Sequence, residues 1–222
     1  MSVIPANASR GLGQSKLPPV LPVPRPGQGA YLAGGGDSIS NAYPWADDSK
    51  SFQRFAADYL GGKTYAAQGH DGQRTDQILS TYAADVIALH ASIVTVEGGV
   101  NNVFQNTSVN TIVPDLQAMV SAAITDGSLV CYIPILPWTN GTNAQNQTID
   151  GINATMIAWM QAAHPTHIVA DARALVGQFR PGGDANNHWD IQPRYSYDGI
   201  HYPVAGYQAL GEFFAQRILG IV

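Results

Sequence analysis

Two short motifs near opposite ends of the chain carry the residue types of acyl-transfer chemistry. Ser38, in the sequence Gly-Asp-Ser, could act as a nucleophile, while Asp198 and His201, in Asp-Gly-Ile-His, could act as an orienting carboxylate and a base. A serine hydroxyl is inert at neutral pH until a base removes its proton, and a histidine is a good base only when its tautomer is fixed. Together the three residues indicate serine-dependent acyl transfer.

The residues before Ser38 indicate how that serine could be exposed. A short apolar run at 30–33 leads into three glycines, which are followed by Asp37 and Ser38. Small residues at the end of a strand let the backbone turn sharply and leave the serine at the carboxyl edge of a sheet, with its own N–H free. This pattern predicts a nucleophile at the end of the first strand.

Two further polar or glycine-rich sequences follow predicted strands. Gly69, in Gln-Gly-His-Asp-Gly, could present a backbone N–H to an oxyanion, and Asn101, in Glu-Gly-Gly-Val-Asn-Asn, could offer a side-chain amide. In doubly wound sheets the carboxyl ends of the strands form the ligand site. The donors of Ser38, Gly69 and Asn101 are therefore expected to converge on one oxyanion hole.

The elements that must position these residues are predicted by an alternation of short apolar runs and helix-length segments. Strands are predicted at 30–34, 64–67, 92–96, 130–135 and 167–170. Helices are predicted at 51–60, 74–83, 111–126, 150–163 and 204–219. Asp150 is expected to cap the fourth helix and Pro165 to end it, with loops at 103–110, 138–148 and 177–197. The order of elements predicts an α/β fold with a parallel sheet.

Composition excludes several classes of protein. The chain has 222 residues, of which 45% are hydrophobic, and this is enough for one well-packed domain. The net charge is −5 and only 11 residues are Lys or Arg, without a basic stripe, which argues against a nucleic-acid partner. No stretch approaches the roughly 18 apolar residues of a membrane span. The single cysteine, Cys131, lies in an apolar run and is predicted to be a buried thiol.

The chain is predicted to have two parts. Residues 1–29 are rich in proline and are expected to form an extended arm, and residues 30–222 are expected to form the domain. No apolar segment of a signal peptide is visible near the N-terminus. Only 12% of residues are charged, which favours an extracellular location or a place in a surface assembly.

Taken in order, the four motifs resemble the sequence blocks of the SGNH or GDSL-type hydrolase family. These are Gly-Asp-Ser at 36–38, Gly69, Gly-Val-Asn-Asn at 99–102 and Asp-Gly-Ile-His at 198–201, and the resemblance covers about 30 to 222. It implies a three-layer α/β/α sandwich with a central parallel, flavodoxin-like sheet. It also implies a Ser38–His201–Asp198 triad with an oxyanion hole from Ser38, Gly69 and Asn101.

The sequence departs from the family pattern at one position. Asn102 stands where the family usually has aspartate. Because that aspartate is not one of the family's catalytic groups, we expect altered hydrogen bonding in the loop without loss of activity.

Four other residues are candidate substrate-binding residues: Asp37, His70, His188 and Trp189. Each could equally serve hydrogen bonding within a loop. Carboxylate and imidazole groups could bind a metal, but the spacing of the four candidates matches no zinc or calcium pattern. These candidates are Asp184, His188, Asp190 and Asp198. No metal and no cofactor is predicted.

The sequence thus favours a serine esterase that removes small acyl groups, with an acetyl ester on a carbohydrate as the preferred substrate. This preference rests on the absence of a long apolar lid and on the Asn, Trp and Tyr residues expected around the cleft. Two alternatives stay open: a lipolytic esterase or thioesterase acting on longer acyl chains, and a non-catalytic glycan-binding or structural module.

Overall fold

A five-stranded parallel sheet forms the centre of the computed structural model, which describes residues 21–45, 47–179 and 189–222. The strands are β1 (Leu32–Gly36), β2 (Tyr65–Gly69), β3 (Ile93–Val96), β4 (Leu129–Tyr132) and β5 (Ile168–Val169). Their order across the sheet is β2-β1-β3-β4-β5, and every neighbouring pair is parallel. This is the flavodoxin-like order, in which β1 and β3 form the point where the connections change direction.

Helices cover both faces of the sheet. They are α1 (Phe52–Tyr59), α2 (Thr75–Asp85), α3 (Val100–Phe104), α4 (Ile112–Thr125), α5 (Asn143–Ala163), α6 (Arg173–Val176) and α7 (Val204–Ile218). One buried cluster joins the sheet to α2, α4 and α5, and a second joins the opposite face to α1 and α7. Successive strand residues alternate between the two clusters, as Ile93 and Val94 do in β3. The predicted three-layer α/β/α sandwich is confirmed.

All five predicted strands are present, but β1 begins and ends later than the sequence indicated. The predicted strand ended at Gly34, and the observed strand continues through Gly35 and Gly36. Gly36 lies where a side chain would collide with Ser40 Oγ and with a carboxylate oxygen of Glu97. The glycines therefore provide close packing beside the site, and the turn itself begins at Asp37.

The helix α5 begins seven residues before the predicted start at Asp150. Its N-terminal cap is Thr142, whose side chain accepts a hydrogen bond from the Gln145 backbone N–H, while the Gln145 side chain accepts from the Thr142 N–H. This capping box satisfies the backbone N–H groups of Thr142 and Gln145, so the helix needs no cap at Asp150. The helix ends at Ala163, before Pro165, as predicted.

The predicted loop at 177–197 contains a short antiparallel pair of strands, β6 (Gly177–Phe179) and β7 (Trp189–Ile191). A 3-10 turn at Pro193–Tyr195 then leads the chain to Asp198. The predicted loop at 103–110 overlaps the end of the short helix α3. This helix follows Gly99, whose backbone has a left-handed conformation.

Residues 21–29, the described end of the proline-rich arm, contact the domain. Arg25 forms an ion pair with Asp126 at 2.6 Å and donates to the backbone carbonyls of His90 and Ala91. The Tyr31 hydroxyl donates to the Pro22 carbonyl at 2.7 Å. The boundary between an arm and a domain at residue 29 stays a prediction.

Two simpler expectations can be compared with the structure. Cys131 is fully buried in β4, as predicted, and burial raises the pKa of its thiol to about 12. Among the residues that the structure describes, no helix combines the length and apolar character needed to cross a bilayer.

Gly69 provides a test of this packing. A side chain at Gly69 would collide with backbone atoms of Ser40 and Asn41, whereas nothing lies within 4 Å of the position where a side chain at Gly151 would begin. We expect Gly69→Ala to lower the free energy of unfolding by about 2 kcal/mol or more, because overpacking against backbone cannot relax easily. Gly151→Ala, inside α5, is the control and should raise it by roughly 1 kcal/mol.

Urea unfolding at neutral pH measures both changes. If Gly69→Ala is as stable as the parent protein, the turn after β1 has room that the structure does not show.

Candidate active site

Ser38 lies in the tight turn that follows β1, at the carboxyl edge of the sheet. The Asp37 carbonyl accepts from the Asn41 N–H at 3.1 Å, and the Ser38 carbonyl accepts from the Tyr43 N–H at 2.9 Å. The Asp37 side chain accepts from the Ile39 N–H at 3.0 Å. Three hydrogen bonds therefore fix the backbone around Ser38, which is 6% exposed.

His201 joins Ser38 to Asp198. Ser38 Oγ lies 2.9 Å from His201 Nε2, and His201 Nδ1 lies 2.7 Å from Asp198 Oδ2. The other carboxylate oxygen of Asp198 accepts from the backbone N–H groups of Ile200 and His201. The ring of Tyr43 lies 4.3 Å from the His201 ring. The structure thus brings the three predicted catalytic residues together.

The environment of Asp198 favours its ionised form. Burial raises the pKa of this carboxyl, but hydrogen bonds from the His201 ring and from the backbone N–H groups of His201 and Ile200 outweigh burial, so that the pKa lies below its ordinary value. An ionised Asp198 keeps a proton on His201 Nδ1. His201 Nε2 is then free to accept a proton from Ser38.

Asn101 enters the same cleft from α3. It is 8% exposed, and its Nδ2 donates one hydrogen bond to the Gln73 carbonyl at 3.0 Å. An amide nitrogen carries two hydrogens, so the second is available to a ligand. Asn101 was predicted to lie close to Ser38, and both residues line the same cleft.

Gly69 does not lie in the cleft, and Gly72 lies there instead. The His70 N–H donates to the Gly36 carbonyl of β1 at 3.0 Å. Since successive N–H groups of a strand point to opposite sides, the Gly69 N–H points away from β1. Gly72 has φ of +71° and open space around it, and its carbonyl accepts from Gln105.

Neither Ser38 nor Gly72 donates its backbone N–H to any acceptor among the described residues. Gly72 could have been found from the second glycine of Gly-His-Asp-Gly, which the sequence reasoning passed over. What the sequence could not supply is the residue at which β2 ends, and this decides which glycine reaches the cleft.

Three of the predicted substrate-binding residues lie outside the cleft. Asp37 is completely buried beneath the serine turn, and His70 Nε2 lies 2.9 Å from Asp85. Trp189, in β7, lines a separate small depression beside Arg173. His188, like Asp184, is outside the described residues.

The cleft itself has a volume of about 300 Å³. Its apolar walls come from Tyr43, Phe104, Trp138 and Ile200, and its polar lining includes Ser38, Asp71, Gly72, Asn101, Asn140, Asp198 and His201. Phe104 and Trp138 meet edge to face at 5.8 Å between ring centroids. Tyr and Trp residues were expected around the cleft, and Tyr43 and Trp138 are the ones that line it, whereas Phe104 was not expected there.

A buried carboxyl group was also missed. Glu97 follows β3 directly and is 1% exposed, and it accepts hydrogen bonds from the Asp37 N–H and from Ser40 Oγ. Its place immediately after a strand, next to Gly-Gly, is the signal that could have revealed it.

Asn102 connects the start of α2 to the segment after α3, close to Asn101. Its Oδ1 accepts from the Thr75 N–H at 3.0 Å, at the start of α2, and its Nδ2 donates to the Ser108 carbonyl at 3.2 Å. Thr75 Oγ1 donates in turn to Asp115. The expectation of altered hydrogen bonding at this position has a physical basis, because an aspartate could not donate to Ser108.

With this geometry in place, the family of the protein can be stated. Residues 36–209 match the model of the GDSL-like lipase/acylhydrolase family, and the chain belongs to that family. The protein is therefore a hydrolase of carboxylic esters. No curated protein sequence matches the chain.

Solved structures share the fold at low sequence identity. A GDSL-like lipase from Bacteroides thetaiotaomicron is 21% identical, with a TM-score of 0.69 over 86% of this chain and 88% of that one. A member of the lipolytic G-D-S-L family from Veillonella parvula is 14% identical, with a TM-score of 0.63 over 86% and 98%. A catalytic mutant of an acetylxylan esterase from Geobacillus stearothermophilus is 15% identical, with a TM-score of 0.66 over 86% and 95%.

The network around Asn102 predicts the effect of restoring the family's usual residue. Asn102→Asp removes the donor to Ser108 and places a second carboxylate beside the Thr75 hydroxyl that binds Asp115. We expect a loss of about 1–3 kcal/mol in the free energy of unfolding at pH 7, the usual cost of leaving a buried polar group unpaired.

Urea unfolding at pH 7 and at pH 4 measures this loss, which should shrink at the lower pH as the new carboxyl takes up a proton. Asn106→Asp, at an exposed position, is the control and should be neutral. Equal stability of Asn102→Asp and the parent at pH 7 contradicts the role of this network.

Proposed function

We propose that the protein is a serine esterase that hydrolyses small acyl esters, with acetyl esters of carbohydrates as its substrate class. The observation that carries this proposal is the continuous set of contacts from Ser38 through His201 to Asp198, with distances of 2.9 and 2.7 Å, at the edge of an aromatic cleft. An inactive binding module needs no such alignment of nucleophile, base and carboxylate.

In the first half of the reaction, His201 Nε2 takes the proton of Ser38 as Ser38 Oγ attacks the ester carbonyl carbon. The tetrahedral intermediate collapses when His201 gives this proton to the leaving alkoxide, whose bond to the carbonyl carbon breaks. Ser38 is then acylated. Asp198 stays ionised throughout and stabilises the imidazolium form of His201.

In the second half, water takes the place of the alcohol. His201 removes a proton from the water, whose oxygen attacks the acyl carbon, and the proton passes to Ser38 Oγ as the acyl group leaves. The products are the free acid and the original enzyme.

The negative charge on the tetrahedral oxygen requires donors that are already in place. We assign this role to the backbone N–H groups of Ser38 and Gly72 and to Asn101 Nδ2. Gly72 replaces the predicted Gly69 because it lines the cleft and its N–H has no acceptor among the described residues. The Gln73 carbonyl holds the Asn101 amide and so limits the reorganisation needed during reaction.

The size and lining of the cleft support a small acyl group. A volume of about 300 Å³ is at the lower end of the range for small-molecule sites. Aromatic walls next to Asn140 and Asp71 combine apolar surface with hydrogen-bonding groups. This combination suits the sugar portion of a carbohydrate ester. Solved acetylxylan esterases share the fold, and this agrees with the proposal.

A lipolytic activity on longer acyl chains is the second candidate. It is favoured by Phe104, which lines the cleft with its side chain 59% exposed and could extend an apolar surface for an acyl chain. Solved structures of lipolytic G-D-S-L proteins have the same fold. The extracellular or surface location indicated by the composition stays a prediction beside both candidates.

Acyl-length preference separates the two candidates. We expect hydrolysis of p-nitrophenyl acetate to exceed that of the butyrate and octanoate esters, because the cleft is small. Ser38→Ala should abolish turnover of all three. A rate that increases from acetate to octanoate would contradict the small-acyl proposal and support the lipolytic one, while turnover retained in Ser38→Ala would remove Ser38 as the nucleophile.

The role of Asn101 can be measured separately. We expect Asn101→Ala to lower kcat on p-nitrophenyl acetate by about 10²–10³-fold, the usual effect of removing one oxyanion donor. The thermal midpoint of each variant shows whether the fold is retained. Asn110→Ala, at an exposed position on the adjoining segment, is the control. A folded Asn101→Ala enzyme with near-normal kcat would exclude Asn101 from the oxyanion hole.

A further inference from the structure

Two carboxyl groups lie buried behind the nucleophile. Asp37 directly precedes Ser38 and is 0% exposed, and Glu97 follows the neighbouring strand β3 and is 1% exposed. A single oxygen of Glu97, Oε2, accepts from the Asp37 N–H at 3.3 Å and from Ser40 Oγ at 2.9 Å. Glu97 thus holds the chain on both sides of Ser38.

The packing around this contact leaves no space for adjustment. A side chain at Gly36 would occupy the positions of Ser40 Oγ and Glu97 Oε2. The Asp37 carboxylate binds the turn from within, because its Oδ1 accepts from the Ile39 N–H. The two carboxyl groups therefore support the same four-residue turn from opposite directions.

The two carboxyl groups cannot both be ionised without a large cost. Glu97 Oε2 reaches the backbone N–H of Asp37, and the charge of Asp37 is among the causes that raise the pKa of Glu97. Asp37 Oδ2 is buried and has no hydrogen-bond partner among the described groups. No Lys or Arg of the described chain acts on either carboxyl. Two adjacent buried carboxylates with no cation repel each other strongly.

We propose that Asp37 and Glu97 share one proton, which Glu97 carries, and that this pair is the positioning element that fixes the turn presenting Ser38. The consequence for catalysis rests on the proposed function. The shared proton itself is a property of the folded protein and can be tested without a substrate.

The surroundings of the pair determine its response to pH. Burial, followed by the charge of Asp37, raises the pKa of Glu97 well above its ordinary value, and burial also raises the pKa of Asp37. Two other charged or titratable groups act on Asp37: His201 and Asp71, which lies in the loop after β2. The pair in turn acts on three buried tyrosines, which are Tyr132 of β4, Tyr202 before α7 and Tyr207 of α7.

The sign of the effect on stability follows from the raised pKa of Glu97. The carboxyl is protonated in both folded and unfolded chains below the unfolded pKa of about 4.3, so the contribution is complete there. As the pH rises, the unfolded chain ionises first and the folded form loses stability, until the folded pKa is passed. The stabilising contribution of this proton should therefore decline as the pH rises from about 4.3 toward the raised folded pKa of Glu97.

Glu97→Gln tests the shared proton. The amide donates to Asp37 and accepts from Ser40 as the protonated acid does, but it cannot ionise. We expect its thermal midpoint to fall less than that of the parent between pH 6 and pH 9. Asp37→Asn should reduce the fall in the same way, because it leaves one carboxyl and supplies a donor to it. Glu212→Gln, on the exposed side of α7, is the matched control and should follow the parent.

Glu97→Asp tests the positioning role. It keeps a carboxyl group that can carry the proton but withdraws it from the turn by one methylene. We expect kcat on p-nitrophenyl acetate to fall by about 10²-fold with KM little changed, because small displacements of a catalytic group have effects of this size. Glu97→Gln should keep most of the parent kcat and extend it to higher pH. The rate at which a fluorophosphonate labels Ser38 should follow the same order.

Two results would overturn the proposal. Parallel pH profiles of thermal midpoint for the parent, Glu97→Gln and Asp37→Asn would exclude a shared proton. Undiminished kcat and labelling in Glu97→Asp would exclude the positioning role. If the parent neither hydrolyses esters nor reacts with the fluorophosphonate, the proposed function fails, and the pH profiles of stability still decide whether the proton is shared.

Discussion

The site depends on close packing around the turn that follows β1, where Gly36 and Gly69 leave no room for a side chain of their own. On one side, Ser40 and Glu97 occupy the position of a side chain at Gly36, and on the other the backbone of the turn lies against Gly69. Glycine at both positions lets the turn lie between the ends of β2 and β3. Ser38 and two residues from the adjoining loops, Gly72 and Asn101, therefore line one cleft at the carboxyl edge of the sheet. The packing of three strand ends, more than the course of any loop, sets the geometry of this cleft.

His201 reaches the same cleft from the distant end of the chain. His201 precedes Tyr202, which is fully buried, and α7 packs against α1, where Gly211 allows close approach to the Phe52 backbone. Asn140 donates to the Asp198 carbonyl and so connects the loop after β4 to the same motif. The position of the imidazole is thus a product of core packing, while its carboxylate partner lies at the partly open rim. Stability and chemistry are coupled here, because loosening α7 would move His201.

Much of this arrangement could be predicted from the sequence, because strands and motifs are local patterns. The five strands followed from apolar runs, and residue types in two motifs pointed to Ser38, Asp198 and His201, which the structure brings into contact. Which residues face the cleft was harder to predict from the sequence. Whether Gly69 or Gly72 reaches the cleft depends on where β2 stops: Gly69 is the last residue of the strand, and Gly72 lies in the loop that follows. The start of α5 was misplaced because Asp150 and Thr142 are both good caps. Glu97 was missed because its partner, Asp37, is distant in sequence.

The attachment of residues 21–29 has a consequence for the orientation of the molecule. Arg25 is held by Asp126, before β4, and by the carbonyls of His90 and Ala91, before β3, so this segment lies at the amino ends of the strands. The cleft opens at their carboxyl ends. Residues 21–29 and the cleft therefore lie at opposite poles of the sheet, so a group attached to the Arg25 segment would leave the mouth of the cleft uncovered.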